Sequence, residues 1–92
     1  MTTRVVVVDD AEQVRIYCAR VLRRAGYQVR TASLAQEALD LLEDEPADLL
    51  VTDIMMPEMD GMELTHVVNR ECPDMGVVIM TAYSTLDRDT LG

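Results

Sequence analysis

The pattern of apolar and polar positions divides the chain into alternating short and long blocks. Arg4-Val5-Val6-Val7-Val8 is β-branched and shows no polar alternation, so it predicts a central strand of a parallel sheet, buried on both faces. From Glu12 to Ala25 the period changes to that of a helix. Val14, Tyr17, Cys18, Val21, Leu22 and Ala25 recur at i, i+3, i+4 and i+7 with arginines between them. Gly26 is placed to close this helix as its C′ residue, with Arg23 and Arg24 at the negative end of the dipole. Tyr27 to Thr31 alternates as an outer strand does. Ser33 followed by Gln36 predicts a capping box for a second helix, with Leu34, Ala38, Leu41 and Leu42 as its buried stripe and Pro46 past its end. Asp48 to Thr52 reads as a third strand. Asp60 with Glu63 predicts a capping pair for a third helix from about Met62 to Glu71, stopped by Cys72-Pro73-Asp74. Val77 to Met80 reads as a fourth strand, and Ser84 with Asp87 as the cap of a fourth helix.

This order, βαβαβαβα with short connections, predicts one α/β domain over residues 1–92, a parallel sheet between helical layers joined by right-handed crossovers. No apolar run approaches the length of about 18 residues that a membrane span needs, and Thr2-Thr3-Arg4 leads into only four valines, unlike a signal peptide. A cytoplasmic protein without membrane contact is expected. The net charge of −9, with Arg as the basic residue throughout and no Lys, argues against direct nucleic-acid binding, because the long-range field repels phosphate. Cys18 and Cys72 lack metal-ligand spacing and read as ordinary thiols. His66 stands mid-helix without a nucleophile beside it in sequence, and the methionines read as fillers of core gaps.

The chemistry lies at the strand ends. The first strand ends in Asp9-Asp10, the third in Asp53 and the fourth in Thr81. In open α/β sheets the carboxyl ends of strands are where ligands bind. Singly, each residue has a plainer reading, since Asp10 could cap the first helix and Asp53 could open a turn. At successive strand ends, three acids and a hydroxyl form an oxygen-rich rim suited to a hard divalent cation. Two unit charges about 4 Å apart cost about 4 kcal/mol at an effective dielectric of roughly 20, and a cation removes that conflict. Mg²⁺ held by Asp9 or Asp10 with Asp53 could recruit a phosphoryl group, and a carboxylate can act as its nucleophile. Rival motifs fail on spacing. The glycines fit neither G-x-x-x-x-G-K-[ST] nor G-x-G-x-x-G, and an EF-hand read from Asp53 would need oxygen ligands where Met55 and Pro57 stand.

Asp9-Asp10, Asp53 with Pro57 four residues on, Met59-Asp60-Gly61 and Met80-Thr81-Ala82 together resemble the receiver domain of bacterial two-component response regulators, from residue 4 to the end of the sequence. The resemblance implies a flavodoxin-like, doubly wound three-layer αβα fold with strand order 2-1-3-4-5. It also implies a phosphoacceptor Asp53 that takes a phosphoryl group from the phospho-His of a sensor histidine kinase or phosphotransfer protein, so the domain is not an enzyme in its own right. Mg²⁺ would be held by Asp10, Asp53 and the Met55 backbone carbonyl, with Asp9 as the second acid. Thr81 would be the switch hydroxyl beside Ala82, and Pro57 and Gly61 would position the loop. The family pattern continues into a fifth strand carrying a Lys and then a fifth helix; this 92-residue sequence lacks both elements and has no Lys. Self-association through the exposed edge of the fourth strand or an uncovered sheet face is therefore expected. Two rivals remain. A phosphatase of the haloacid-dehalogenase type would need a second Asp where Met55 stands, and an interaction module would use the same fold without phosphorylation.

Overall fold

Four consecutive valines make β1, Arg4–Val8, the middle of the sheet, because Val5 to Val8 are each fully buried and alternate between two cores. In a computed structural model, which describes residues 2–80, β1 pairs in parallel with β2 (Gln28–Ala32) on one side and β3 (Leu49–Asp53) on the other. β4 (Gly76–Met80) pairs in parallel with β3, which gives the order β2-β1-β3-β4. This is the order that the receiver resemblance implies for the first four strands. Val6 and Val8 pack with Leu50, Ala38, Leu42, Leu64 and Val68 beneath α2 (Ala35–Asp44) and α3 (Gly61–Glu71). Val5 and Val7 pack with Ala19, Val29 and Val51 beneath α1 (Glu12–Arg24) on the opposite face. The result is the three-layer, flavodoxin-like α/β arrangement.

α1 ends as the sequence predicts. Gly26, at φ 99°, is the C′ residue. The Gly26 N–H donates to the Arg23 carbonyl and the Tyr27 N–H to the Leu22 carbonyl, a Schellman pair that needs a left-handed residue at this position. The buried face of α1 differs from the expected stripe. Cys18 and Leu22 of that stripe do meet the sheet, joined by Ala19, whereas Val14, Tyr17 and Val21 are 43%, 66% and 46% exposed. The physical reason is that the apolar stripe is wider than the contact. Small Ala19 seats the helix on β1, which leaves the Val14 flank outside.

α2 departs from the expected capping box. Its N-cap residue is Leu34, without a side-chain cap, so the helix starts one residue later than Ser33 would allow. The Ser33 hydroxyl donates to Glu37 at 2.6 Å, and the Gln36 amide donates to Asp40 at 3.1 Å. The other end of α2 is satisfied from outside the helix. Arg30, on β2, donates to the Leu41 carbonyl at 2.8 Å and to the Glu45 carbonyl at 2.6 Å. α3 has the expected cap, with the Asp60 carboxylate accepting the Glu63 N–H at 2.9 Å. β4 is the outer strand among the described residues, with Val78 and Ile79 exposed. The expected fourth helix, Thr81 and Ala82 lie outside the described residues.

Candidate functional site

Register brings the acids together. Val8 of β1 stands beside Thr52 of β3, so the residues that follow them, Asp9 and Asp53, emerge side by side at the carboxyl end of the sheet. Carboxylate oxygens of Asp9, Asp10 and Asp53 lie within 4.8 Å of one another. Asp9 is buried at 3% exposure, Asp53 is half-buried and Asp10 is exposed. The cluster is therefore open to ligands on one side and walled by the sheet on the other.

Local bonding explains how each acid is held. The Asp9 carboxylate accepts the Ala11 N–H at 2.8 Å, which turns the chain into α1. The Asp9 N–H donates to the Ala32 carbonyl at 3.1 Å, and Arg15 donates to the Asp9 carbonyl at 2.8 Å. Ala11, not Asp10, is the N-cap residue of α1, and no side chain caps that helix. The plainer reading of Asp10 as a helix cap is thereby removed, and its carboxylate stays in the cluster. Burial pushes the Asp9 carboxyl above its ordinary value of 3.8, and repulsion from Asp53 and Asp10 adds to this, against the Ala11 N–H and the Arg15 charge.

The loop after Asp53 is tied at both ends. The Ile54 N–H donates to the Met80 carbonyl at 3.1 Å, and the Gly61 N–H donates to the Ile54 carbonyl at 3.0 Å. A Cβ on Gly61 would collide with the Asp53 carbonyl oxygen and lie 2.9 Å from the Ile54 Cα. The absent side chain thus lets α3 begin directly against the backbone of Asp53. Between these ties, the Met59 N–H donates to the Pro57 carbonyl at 2.9 Å across Glu58, which is held at φ 69°. A left-handed Glu is a strained conformation, worth about 1–3 kcal/mol, and here it is kept by the anchored loop. Among the described residues, the Met55 carbonyl accepts no hydrogen bond, and its side chain is 60% exposed.

Of the residues singled out from sequence, Asp9, Asp10 and Asp53 come together, Gly61 abuts Asp53, and Pro57 and Met55 lie in the loop that follows it. His66 is exposed on α3 and is not part of the acidic cluster. Two residues were not foreseen. Arg15 sits beside the acids because it stands at the sheet side of α1, and its spacing after Asp9-Asp10 was the available signal. Thr52, fully buried, donates its hydroxyl to the Asp53 carbonyl at 3.0 Å; inside an apolar strand it carried no signal. Three convergent carboxylates form an all-oxygen donor set that fits a hard divalent ion such as Mg²⁺.

The family model for the response regulator receiver domain matches residues 5–90. The chain is 34% identical over 83 residues to the response regulator receiver protein CpdR of Brucella abortus, covering 90% of this chain and 69% of that protein. It is 40% identical over 81 residues to the DNA-binding transcriptional regulator NtrC of Proteus hauseri, covering 88% of this chain but only 17% of that protein. Among solved structures, the response regulator protein TrrA of Thermotoga maritima, crystallised in complex with Mg²⁺-BeF, superposes with a TM-score of 0.86 at 32% identity, over 96% of this chain and 76% of that one. With strand order, acidic rim and sequence in agreement, the chain belongs to the response regulator receiver domain family.

Proposed function

We propose that this domain is the phosphoacceptor of a two-component switch, taking a phosphoryl group onto Asp53 from the phospho-His of a sensor histidine kinase or phosphotransfer protein. The observation that carries the reading is the convergence of Asp9, Asp10 and Asp53 within 4.8 Å at the strand ends. An Asp53 carboxylate oxygen attacks phosphorus, the P–N bond to the imidazole breaks, and the released nitrogen keeps the electron pair and takes up a proton. Asp53 is held for this attack by the Gly61 contact behind it and the Ile54 tie to β4. Mg²⁺ would be held by Asp10, Asp53 and the Met55 carbonyl, with Asp9 as the buried second acid. When bound, that ion neutralises the carboxylates and draws the phosphoryl oxygens to the rim. The crystallisation of the similar TrrA with Mg²⁺-BeF supports this assignment. From the family resemblance, Thr81 with Ala82 carries the switch toward the phosphorylated state. The domain accepts a phosphoryl group and does not turn over a substrate. A phosphatase of the haloacid-dehalogenase type is disfavoured by Met55, whose thioether cannot serve as the acid required at that position.

Incubation with acetyl phosphate and Mg²⁺ tests this reading by intact mass. Wild type is expected to gain one phosphoryl group, at modest stoichiometry for these Lys-free 92 residues, and Asp53→Ala is expected to gain none. No gain in wild type under any donor would favour the interaction-module reading instead. Self-association is the reading we attach to β4, because Val78 and Ile79 are exposed on it and, among the described residues, no strand pairs with its outer edge. Sedimentation that shows only monomer at high micromolar concentration would remove it.

A further inference from the structure

α2 and α3 lie side by side over one core, and each buries its inner face there through Ala38 and Leu42 or Leu64 and Val68. Their outer seam is not filled. A cavity of about 500 Å³ remains between them, floored by Leu39, Leu42 and Val67 and rimmed by Asp40, Glu43 and Glu71. A second cavity of about 500 Å³ shares Leu42, Glu71 and Cys72 with the first and continues past Pro73 and Asp74, so the two form one groove. No Arg lines either cavity. Among the described residues the rim acids have no ion-pair partner, since the pair that forms is Arg4 with Glu45. The half-buried Leu39 and Val67 thus stand beside exposed, uncompensated carboxylates.

We infer that this groove between α2 and α3 docks an amphipathic helix of a partner protein, one with an apolar row flanked by Lys or Arg. Helix-in-groove binding asks for an apolar floor that takes residues at i, i+3 or i+4 and i+7, and Leu39, Leu42 and Val67 supply it. Charge selects the partner. α2 carries Glu37, Asp40, Glu43 and Asp44 and no basic residue, and with the chain at −9 a cationic helix is steered to this wall while an acidic one is repelled. The length also fits, because α2 has 10 residues and so spans about 15 Å, the reach of about three turns of a docked helix. The inference uses none of the residues assigned to phosphoryl transfer.

The test is a fluorescein-labelled helical peptide of about four turns, with Leu on one face and Lys or Arg flanking it, titrated by anisotropy beside a scrambled peptide of identical composition. The patterned peptide is expected to bind at least tenfold more tightly than the scrambled one, with amide shifts confined to α2 and α3. Val67→Asp is expected to weaken it at least tenfold. The exposed pair Glu43→Lys with Glu71→Lys is expected to do the same and, being at the surface, covers the case in which Val67→Asp fails to fold. Equal binding of the scrambled peptide, shifts centred on the Asp9, Asp10 and Asp53 cluster, or binding unmoved in the Lys pair overturns the proposal. So does a dimer in sedimentation that the Lys pair abolishes, because the groove would then belong to a second copy, whose α1 carries Arg15, Arg20, Arg23 and Arg24.

Discussion

The two ends of the sheet use the same residue types in opposite ways. At the amino end, the Asp48 carboxylate accepts the Arg4 N–H at 2.8 Å, Arg4 stands 3.6 Å from Glu45, and Arg30 closes the end of α2 with two hydrogen bonds. Asp48 and Glu45 there each have a donor. At the carboxyl end, Asp9, Asp10 and Asp53 crowd within 4.8 Å and, among the described residues, receive a single backbone N–H, from Ala11, while Arg15 gives its bond to a carbonyl and not to a carboxylate. Negative charge there is left over. The comparison teaches that an acid's role is set by its donors: the matched end holds the fold together, and the unmatched end gives up stability that a bound cation can restore.

The largest effect should come from overpacking the unmatched end at Gly61. Gly61→Ala sets a Cβ against the Asp53 backbone, and a loss of about 3 kcal/mol or more is expected in urea denaturation, together with loss of Asp53 phosphorylation. Next is the matched end. Arg30→Ala should cost about 1 kcal/mol by taking the side-chain donor from the Glu45 carbonyl, while the Leu41 carbonyl keeps the Glu45 N–H; Arg4→Ala should lose less, because its pair with Glu45 is half-exposed. A reversal of that order would mean that the surface pair, not the helix closure, secures this end.

Smaller effects of opposite sign are expected at the acids. In chelator, Asp53→Asn should stabilise the protein by about 1 kcal/mol, and millimolar Mg²⁺ should raise the melting temperature of wild type but not of Asp53→Asn. Melting curves unchanged by both would show that the cluster carries no repulsion worth relieving. Smallest is the pH effect of Asp9. Its carboxyl is raised from 3.8, so the folded state keeps a proton in the window above 3.8 that the unfolded chain has released. That contribution is fully present below 3.8 and is lost as pH rises through the window. Asp9→Asn should therefore gain on wild type as pH climbs from 3.5 to neutrality in chelator, and parallel curves would contradict the buried repulsion.

Much of this contrast was legible in the sequence, and for a physical reason. A run such as Val5 to Val8, apolar at every position, has no solvent face to offer, so it can only be central, and acids at the end of such a run must come out at the rim. Asp60 before Glu63 and the Cys72-Pro73 stop marked α3 closely, because capping is a local bond between near neighbours. Bonds between distant elements were not legible. Arg30 reaches α2 eleven residues on and Arg15 reaches back to Asp9, and a long charged side chain looks the same in sequence whether it ends in water or on a carbonyl. Periodicity also gave α1 an apolar stripe without saying which flank meets the sheet, and Val14, Tyr17 and Val21 of that stripe are exposed. The start of α2 was missed because Ser33 suits a cap by type, yet the chain turns one residue later. Thr81 and Ala82, legible as motif residues, lie outside the described residues.

The central claim is that the unmatched end exists to receive a phosphoryl group on Asp53, and residue-level mapping after acetyl phosphate treatment tests it most directly. Borohydride reduces an acyl phosphate to an alcohol, so the modified position is fixed by peptide mass spectrometry. The account expects the reduced residue at Asp53 alone, dependent on Mg²⁺ and absent in chelator. Label on Asp9, Asp10 or Asp48, or the same yield in Asp53→Ala as in wild type, would contradict it.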